Sequence, residues 1–259
     1  MNIGDLVTRN SYDNDLIFRI IDIENDIYYL KGINVRLYAD SSVDDLVSYD
    51  GELDIEEEAV FQERIKDRTD IERDEYFYLP GKVLHIDGDK EYLNRCLKFY
   101  EDMNIASLGV IEKEEEVPSK IYSLLEKYNP NILVITGHDA YYKRKGNVGD
   151  LNAYKNSKNF VEAVMEARKY ESSHEKLIII AGACQSNYEE LIKAGANFAS
   201  SPKRVNIHAL DPAIVAVKMS LSDINKDIDL KSIIESTKYG ANGIGGIITK
   251  GTMYMGYPR

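Results

Sequence analysis

A short apolar segment that ends in small residues and a cysteine constrains the fold of this chain most strongly. Residues 177–180 are apolar and include three isoleucines, which is typical of a strand buried on both faces. Residues 181–183 carry little side-chain bulk, Cys184 follows, and Ser186 or Asn187 is placed to cap a helix. Cys184 is therefore predicted at the carboxyl end of a central strand and near a helix N-terminus, where ligands bind and the pKa of a thiol falls. The alternative is a small buried hydrophobic residue.

A second segment has the same design. Residues 131–140, NILVITGHDA, join an apolar strand to a glycine and then to a reactive side chain, that of His138. Parallel strands deliver such residues to the same sheet edge, and the interval from 138 to 184 accommodates one helical crossover. Caspase-like cysteine peptidases place a histidine about 50 residues before the nucleophilic cysteine and an alanine directly before it, as Ala183 is here. The pair favours catalysis over core packing.

Composition limits the partners of the chain. Its 259 residues carry a net charge of −12 with a pI near 4.9, which disfavours a nucleic-acid partner and favours basic substrates. A hydrophobic content of 44% allows a substantial core. Only two cysteines are present, so we expect a reducing cytoplasm and no disulfide framework. No apolar run has membrane-spanning length and no signal peptide is recognisable, so we expect a soluble cytoplasmic chain without a membrane partner.

Three regions follow from the pattern along the chain. Residues 1–50 contain short runs rich in β-branched and aromatic residues, which predict a small β-barrel module of SH3-like size. Residues 51–79 shift to Glu, Asp, Arg and Lys and predict a charged helical linker. Residues 80–259 alternate strand and helix patterns, which predicts an α/β domain with a mostly parallel sheet flanked by helices. The glycine-rich stretch 240–246 lacks the Lys-Ser/Thr of a phosphate loop and is predicted to be a mobile surface loop.

Cysteine peptidase chemistry assigns roles at the carboxyl edge of this sheet. Cys184 is predicted to be the nucleophile and His138 the general base and acid. The backbone N–H groups of Cys184 and Asp139 are the candidate oxyanion hole, and Gly137 and Gly182 allow close approach of the substrate backbone.

The remaining histidines and the second cysteine are weaker candidates for catalytic residues. His85 lies within a strand and Cys96 on an apolar helix face, so both are predicted core residues. His174 is in a polar loop and is predicted to be solvated, whereas His208 is a reserve candidate for the base. The Cys and His spacing does not match a structural zinc, so we predict no metal and no cofactor.

Two carboxylates indicate the substrate preference. Asp87 and Asp89 follow the first strand of the α/β region and are predicted at the same edge as Cys184. A carboxylate there holds an Arg or Lys side chain by a charge-assisted contact, so we expect cleavage after basic residues, with Arg preferred. The linker arginines are then candidate self-cleavage sites, namely Arg64, Arg68 and Arg73.

Long strings of the sequence carry a resemblance to a known family: IGDLVTRNSYDNDLIFRI, PGKVLHIDGDKEYL, NILVITGHDAYYK, LNAYKNSKNFVEAV and AGACQSNYEELIKAGANFASSPKRVNIHALDP. With them the chain resembles the YabG family of sporulation-specific proteases of endospore-forming bacteria over nearly its whole length. The resemblance implies cleavage of spore-coat and related precursor proteins, and of the protease itself, with Arg preferred at the cut. It also implies Cys184 and His138 as the catalytic pair, acting in the mother cell with association to the spore coat.

The wider similarity is to the caspase-like clan, which includes the Arg-specific clostripain and gingipains. That similarity implies a specificity pocket at the end of the first strand and a substrate-binding strand after the cysteine, at Ala199, Ser200 and Ser201. The chain departs from the clan at Asp139 and Ser186, where the clan usually has glycine. The first departure weakens the assignment of Asp139 to the oxyanion hole.

Two other classes of function stay open on the sequence. A non-catalytic spore-coat scaffold would keep Cys184 buried and unreactive at neutral pH. A small-molecule hydrolase or transferase with a cysteine nucleophile would need a closed pocket rather than an open groove.

Overall fold

The computed structural model describes residues 1–51, 60, 62–63 and 76–257. Its N-terminal part is an antiparallel sheet. Its strands are β1 (Leu6–Arg9), β2 (Phe18–Glu24), β3 (Ile27–Gly32), β4 (Tyr38–Ser42) and β5 (Leu46–Ser48). The order is β4-β3-β2-β1-β5. Asn25 and Asp26 both adopt positive φ, as a two-residue hairpin between β2 and β3 requires. We refer to residues 1–50 as the β module.

The β module is predicted to be a closed barrel, and the structure does not confirm this closure. Its two outer strands, β4 and β5, pair with β3 and β1 respectively and not with each other in the described residues. The sheet is therefore open, and the predicted β-rich character is confirmed without the barrel.

A six-stranded sheet forms the centre of the remaining chain. Two short strands, β6 (Phe77–Leu79) and β13 (Tyr254–Gly256), pair outside it. The central strands are β7 (Val83–Asp87), β8 (Ser107–Ile111), β9 (Ile132–Thr136), β10 (Ile178–Ala181), β11 (Phe198–Ser200) and β12 (Ile244–Gly246). They lie in the order β12-β11-β10-β9-β7-β8, and all neighbours are parallel except β11 with β12. The predicted mostly parallel sheet is confirmed.

Helices cover both faces of this sheet. They are α1 (Lys90–Asp102), α2 (Val117–Tyr128), α3 (Ser157–Tyr170), α4 (Tyr188–Ala194), α5 (Asp211–Ser220) and α6 (Leu230–Glu235). Ile178 and Ile180 of β10 pack with α1 and α5, whereas Ile179 packs with α2 and α3 on the other face. A strand covered on both sides has no polar face, which explains the apolar runs that identify β9 and β10 in the sequence.

The prediction of a mobile loop at 240–246 is wrong in this structure. Residues Gly240–Asn242 form a 3₁₀ turn, and β12 pairs antiparallel with β11 at the sheet edge. A Cβ on Gly245 would lie 2.7 Å from the Tyr188 hydroxyl, and one on Gly246 would lie 2.6 Å from the Phe198 ring. The glycines are needed for this close packing, because any side chain would push the edge strand away.

Several predictions fall on residues 52–59, 61 and 64–75, which lie outside the described residues. They include most of the predicted helical linker and the candidate self-cleavage sites Arg64, Arg68 and Arg73. Among the residues that are described, no helix is both long and apolar enough to span a bilayer.

Candidate active site

His138 follows β9 and is almost completely buried, with 1% of its surface exposed. Its Nε2 lies 3.0 Å from Oδ2 of Asp89, and the Tyr38 ring stacks on the imidazole with 3.9 Å between ring centroids. The Nδ1 atom is buried and has no hydrogen-bond partner among the described residues. Because Nε2 donates to the carboxylate, Nδ1 is the nitrogen that keeps a free lone pair and can accept a proton.

Asp89 connects this histidine to the helix that follows β7. Its Oδ1 accepts the N–H groups of Glu91 and Tyr92 at 2.9 and 3.3 Å, which caps α1. Its Oδ2 receives His138 and, at 2.5 Å, the ammonium group of Lys31. Burial opposes the charged form, but the hydrogen bonds from His138 and Lys31 outweigh it and lower the pKa of Asp89 well below its usual range. Asp89 is predicted to bind substrate, and the structure instead places it against the histidine.

Cys184 follows β10 at the same edge, but it is fully buried. Its Sγ accepts the N–H of Ile207 at 3.3 Å and lies 3.7 Å from the carbonyl oxygen of that residue. Burial raises the pKa of the thiol to about 12, and the N–H of Ile207 and the charge of Arg36 offset this only in part. The sequence predicts a lowered pKa from the nearby helix N-terminus. The structure corrects that expectation because the thiol is removed from water.

The cover over Cys184 comes from the β module. The sulfur belongs to the apolar cluster of that module, together with side chains from its strands and from the segment between β3 and β4, including Phe18, Leu30, Val35 and Leu37. Cys184 and His138 follow the neighbouring strands β10 and β9, and no hydrogen bond joins them in the described part of the chain. The two residues are brought to one edge but do not form a hydrogen-bonded dyad in this state.

Asp87 ends β7 and is completely buried. Its Oδ2 pairs with Nη1 of Arg36 and accepts the Thr136 hydroxyl at 2.7 Å, while its Oδ1 accepts the N–H of Asp89 at 2.8 Å. Burial acts to raise the pKa of Asp87, but the Arg36 charge, nearby His85 and the hydrogen bond from Thr136 hold it well below its usual range. Asp87 therefore stays ionised at neutral pH, and we refer to the buried site beside it as the Asp87 pocket.

Arg36, from the β module, fills the pocket beside Asp87 and is also completely buried. Its Nε and Nη2 donate to the carbonyl oxygen of Ala209 at 3.1 and 2.9 Å, and the Tyr92 ring lies 5.1 Å from the guanidinium carbon. Burial disfavours the charged form, but Asp87 raises the pKa of Arg36 above its ordinary value. No sequence signal marks Arg36, because its partner lies 51 positions along the chain.

Asp139, the candidate oxyanion residue after His138, contributes a buried carboxylate to a network. Burial raises its pKa, although it accepts hydrogen bonds from the N–H groups and hydroxyls of Ala140, Asn156, Ser157 and Ser186. Ser186 lies 2.9 Å from the carboxylate, so the two positions that depart from the caspase-like pattern bond to each other. This contact ties the loop after β9 to the loop after β10.

Glu114 is a residue of this edge that the sequence does not reveal. Its Oε1 accepts the N–H of His138 at 2.9 Å. A Cβ on Gly88 or on Gly137 would collide with the same carboxylate. In this structure the open space at Gly137 therefore admits Glu114 rather than a substrate backbone.

The three residues predicted to line the substrate lie on or directly after β11, the strand that pairs with β10. Ala199 and Ser200 are on β11, whose two edges pair with β10 and β12, so this strand has no free edge. Ser201 donates from its N–H to Gly243 and from its hydroxyl to Val205, both at 2.6 Å. Residues 207–209, and not β11, run beside the residues around Arg36, since His208 pairs with Val35.

The other histidines and Cys96 occupy mixed environments. His85 is buried between Tyr100 and Thr136, and Cys96 is buried in the core, as predicted. His174 is only partly exposed and contacts Arg168, so full solvation is not observed. Burial lowers the pKa of His208 to about 3, which makes it a poor base. No group of three or more metal-ligating side chains gathers in the described ranges.

Known proteins match this chain over nearly its whole length, including the residues of the candidate site. A family profile described as YabG peptidase U57 matches residues 2–258. The sporulation-specific protease YabG of Bacillus subtilis (strain 168) is 43% identical over 282 residues, which cover 99% of this chain and 97% of that protein. The match includes the β module as well as the edge that carries His138 and Cys184. The chain therefore belongs to the YabG peptidase family.

Proposed function

We propose that the chain is a cysteine endopeptidase that cleaves proteins after arginine. The observation that carries this proposal is the placement of His138 and Cys184 after the neighbouring central strands β9 and β10, with Nε2 of the histidine held by Asp89 and Nδ1 left free. This arrangement and the strand order support a caspase-like fold for residues 80–259. Membership in the YabG family supports a sporulation protease.

The proposed reaction uses the two residues in turn. Cys184 transfers its thiol proton to Nδ1 of His138, and the sulfur attacks the carbonyl carbon of the scissile peptide. His138 then protonates the leaving amine as the C–N bond breaks, which leaves a thioester on Cys184. A water molecule that is deprotonated by His138 hydrolyses the thioester and returns the free thiol. The N–H groups of Cys184 and Asp139, with Gly137 beside them, are the proposed oxyanion donors.

The proposed preference for arginine rests on the Asp87 pocket. Asp87 is buried and charged, and the carbonyl of Ala209 is a second acceptor, so that a guanidinium bonds the two groups with Nε, Nη1 and Nη2. A lysine ammonium is a compact charge and lacks this planar set of donors, so we expect it to bind the pocket less well. Asp89 holds His138 and is proposed to position that base.

The proposed substrates are spore-coat and related sporulation proteins, with self-processing included. The mother-cell cytoplasm, with association to the spore coat, is the proposed location. A division into residues 1–50, 51–79 and 80–259 accompanies this proposal. Arg64, Arg68 and Arg73 stay proposed self-cleavage sites in the second region.

A non-catalytic scaffold is the second candidate function, because one observation favours it. Cys184 is fully buried and the pKa of its thiol is raised to about 12, as expected for an unreactive cysteine. Against it, the family is one of peptidases, and the cover over the thiol is a separate sheet rather than the core of the α/β domain. The peptidase is therefore the better supported function.

Mass spectrometry of wild type, Cys184→Ala and Cys96→Ala, each incubated with an Arg-containing protein, tests the proposal. We expect cuts after Arg with wild type, slow because Cys184 is buried, and at the same rate with Cys96→Ala, which removes the other buried cysteine. Cys184→Ala should give none. Asp87→Asn should lose the cuts after Arg while any residual cutting elsewhere persists. Cuts that survive in Cys184→Ala would reject the cysteine mechanism.

A further inference from the structure

The segment between β3 and β4, residues 33–37, lies along the main chain of residues 207–209. The N–H of Ala209 donates to the carbonyl oxygen of Asn34 at 3.0 Å, and Val35 pairs antiparallel with His208. On the other side of the segment, Leu37 forms a parallel bridge with Asp139. Peptides that bind by strand addition make main-chain contacts of this kind.

Side chains on the edge also hold the carbonyl groups of this segment. The Tyr92 hydroxyl shares its proton between the carbonyl oxygens of Gly32 and, at 3.0 Å, Val35, and Arg95 donates to that of Ile33 at 2.9 Å. Residues 33–36 form the loop of the β3–β4 hairpin, which the N–H of Gly32 closes by donating to the carbonyl oxygen of Leu37 at 2.9 Å. The α/β domain holds the backbone of this loop on several sides.

Arg36 is the side chain that enters the Asp87 pocket from this loop. Two residues later Tyr38 covers the imidazole of His138. The backbone N–H of Arg36 also helps to offset the effect of burial on the pKa of the Cys184 thiol. An arginine beside Asp87, a backbone paired with His208 and a ring over His138 match the positions that the proposed function gives to a substrate.

We propose that residues 34–37 are an internal pseudosubstrate that occupies the peptidase groove and keeps the enzyme latent, with residues 207–209 as the strand that binds true substrates. This inference rests on the proposed function. It explains why Cys184 is buried with a neutral thiol, since an uncharged thiol does not attack the Arg36–Leu37 bond. A protein substrate reaches the site only when the segment withdraws.

The test compares Arg36→Ala and Arg36→Lys with wild type and with the matched control Arg9→Ala. Arg9 lies in the same β module and pairs with Asp45 at 2.8 Å, away from the groove. The probe is the fluorogenic peptide acetyl-Asn-Val-Arg-aminomethylcoumarin, and Cys184→Ala sets the background. Labelling of Cys184 by iodoacetamide is followed in parallel by mass spectrometry. Far-UV circular dichroism checks that each variant is folded.

We expect Arg36→Ala to hydrolyse the probe at least about tenfold faster than wild type, because the open fraction limits the rate. Its Cys184 should also be labelled faster. Arg36→Lys, which keeps a cation in the pocket and the fold intact, should fall between the two, and Arg9→Ala should match wild type. The hexapeptide acetyl-INVRLY-amide, residues 33–38, should compete with the probe in Arg36→Ala, whereas the same peptide with Ala for Arg should not.

Two failures are distinguishable. If wild type hydrolyses the probe as fast as both Arg36 variants, the enzyme is an arginine peptidase but the segment does not inhibit it, which overturns this inference alone. If no variant exceeds Cys184→Ala, the proposed function fails, and the pseudosubstrate fails with it.

Discussion

The buried thiol of Cys184 makes a quantitative prediction about its chemical reactivity in the wild-type chain. The pKa of this thiol is raised from 9.0 to about 12. At pH 8 a thiol with a pKa of about 12 is thiolate in roughly one molecule in 10,000, against roughly one in ten for an ordinary cysteine, so alkylation should be about 1,000-fold slower. Steric cover by the β module adds to this protection, and about 1,000-fold is therefore a lower bound.

The pH profile of alkylation separates this state from a reactive active site. Because only the thiolate reacts, the rate at Cys184 should rise about tenfold per pH unit between pH 7 and about 9.5, without a plateau. Cys96 is an internal control, since it is also buried and the pKa of its thiol is likewise raised to about 12. Iodoacetamide labelling of the two cysteine peptides, read by mass spectrometry with a urea-unfolded reference, measures both rates.

Two results would refute the reasoning for Cys184. One is a plateau in its labelling rate below pH 8, which would mean that the thiolate is already formed beside His138. The other is a labelling rate within about tenfold of the unfolded reference at pH 8, which a neutral buried thiol does not allow. Either result with Cys96 still protected would place the wild-type chain in an open state.

Three further predictions concern the charged groups at the edge. Asp89→Asn, made in the Arg36→Ala background, should lower kcat about 100-fold or more with little change in KM, because the amide no longer orients His138. Hydrolysis of the fluorogenic peptide measures kcat and KM. Arg36→Met should lower the free energy of unfolding by about 3–5 kcal/mol, and adding Asp87→Asn should recover part of the loss, as urea titration will show. The lowered pKa values of Asp87 and Asp89 mean that their stabilising effect is present above about pH 5 and is lost as pH falls through the folded values. The pKa of buried His208, lowered to about 3, acts earlier, because stability is lost as pH falls below about 6.5, so tyrosine fluorescence should stay unchanged from pH 8 to about 6.5.

Each of these has a control or a contradicting outcome. A rise in KM without a fall in kcat would assign Asp89 to substrate binding instead of to His138. Arg9→Ala breaks a partly exposed pair with Asp45 in the same module and should leave the urea midpoint close to that of wild type. The chain has 19 tyrosines and no tryptophan, so tyrosine emission reports on the whole fold, and a transition between pH 8 and about 6.5 would contradict the pKa directions.

The local pattern of the sequence was sufficient for the central strands and their edge. Residues 177–180 and the run before His138 are apolar throughout, and such runs indicate strands that are covered on both faces. Parallel strands end at one edge, so the shared position of His138 and Cys184 followed from their place after these runs. Asn187 as the cap of α4 was also predictable, because capping depends on residues only three apart.

Contacts between distant residues were beyond that kind of reasoning. Asp87 and Asp89 are two positions apart and equivalent by composition, yet one pairs with Arg36 and the other with His138. Residues two apart in a strand share a face, but Asp89 lies beyond the end of β7, and the partners of both carboxylates depend on how the β module packs. The same packing removes Cys184 from water and raises the pKa of its thiol, whereas the sequence predicted the opposite direction.

The sequence by itself determined the α/β architecture, the strand ends that carry His138 and Cys184, and the negative charge beside them, because these depend on local hydrophobic periodicity and on residue type. The tertiary structure alone decided that residues 33–37 lie across this edge, that Arg36 fills the Asp87 pocket and that Asp89 holds the histidine. Those features arise from burial of apolar surface between two sheets, which brings together groups that are 51 positions apart in the chain and reverses the ionisation expected of a cysteine near a helix N-terminus.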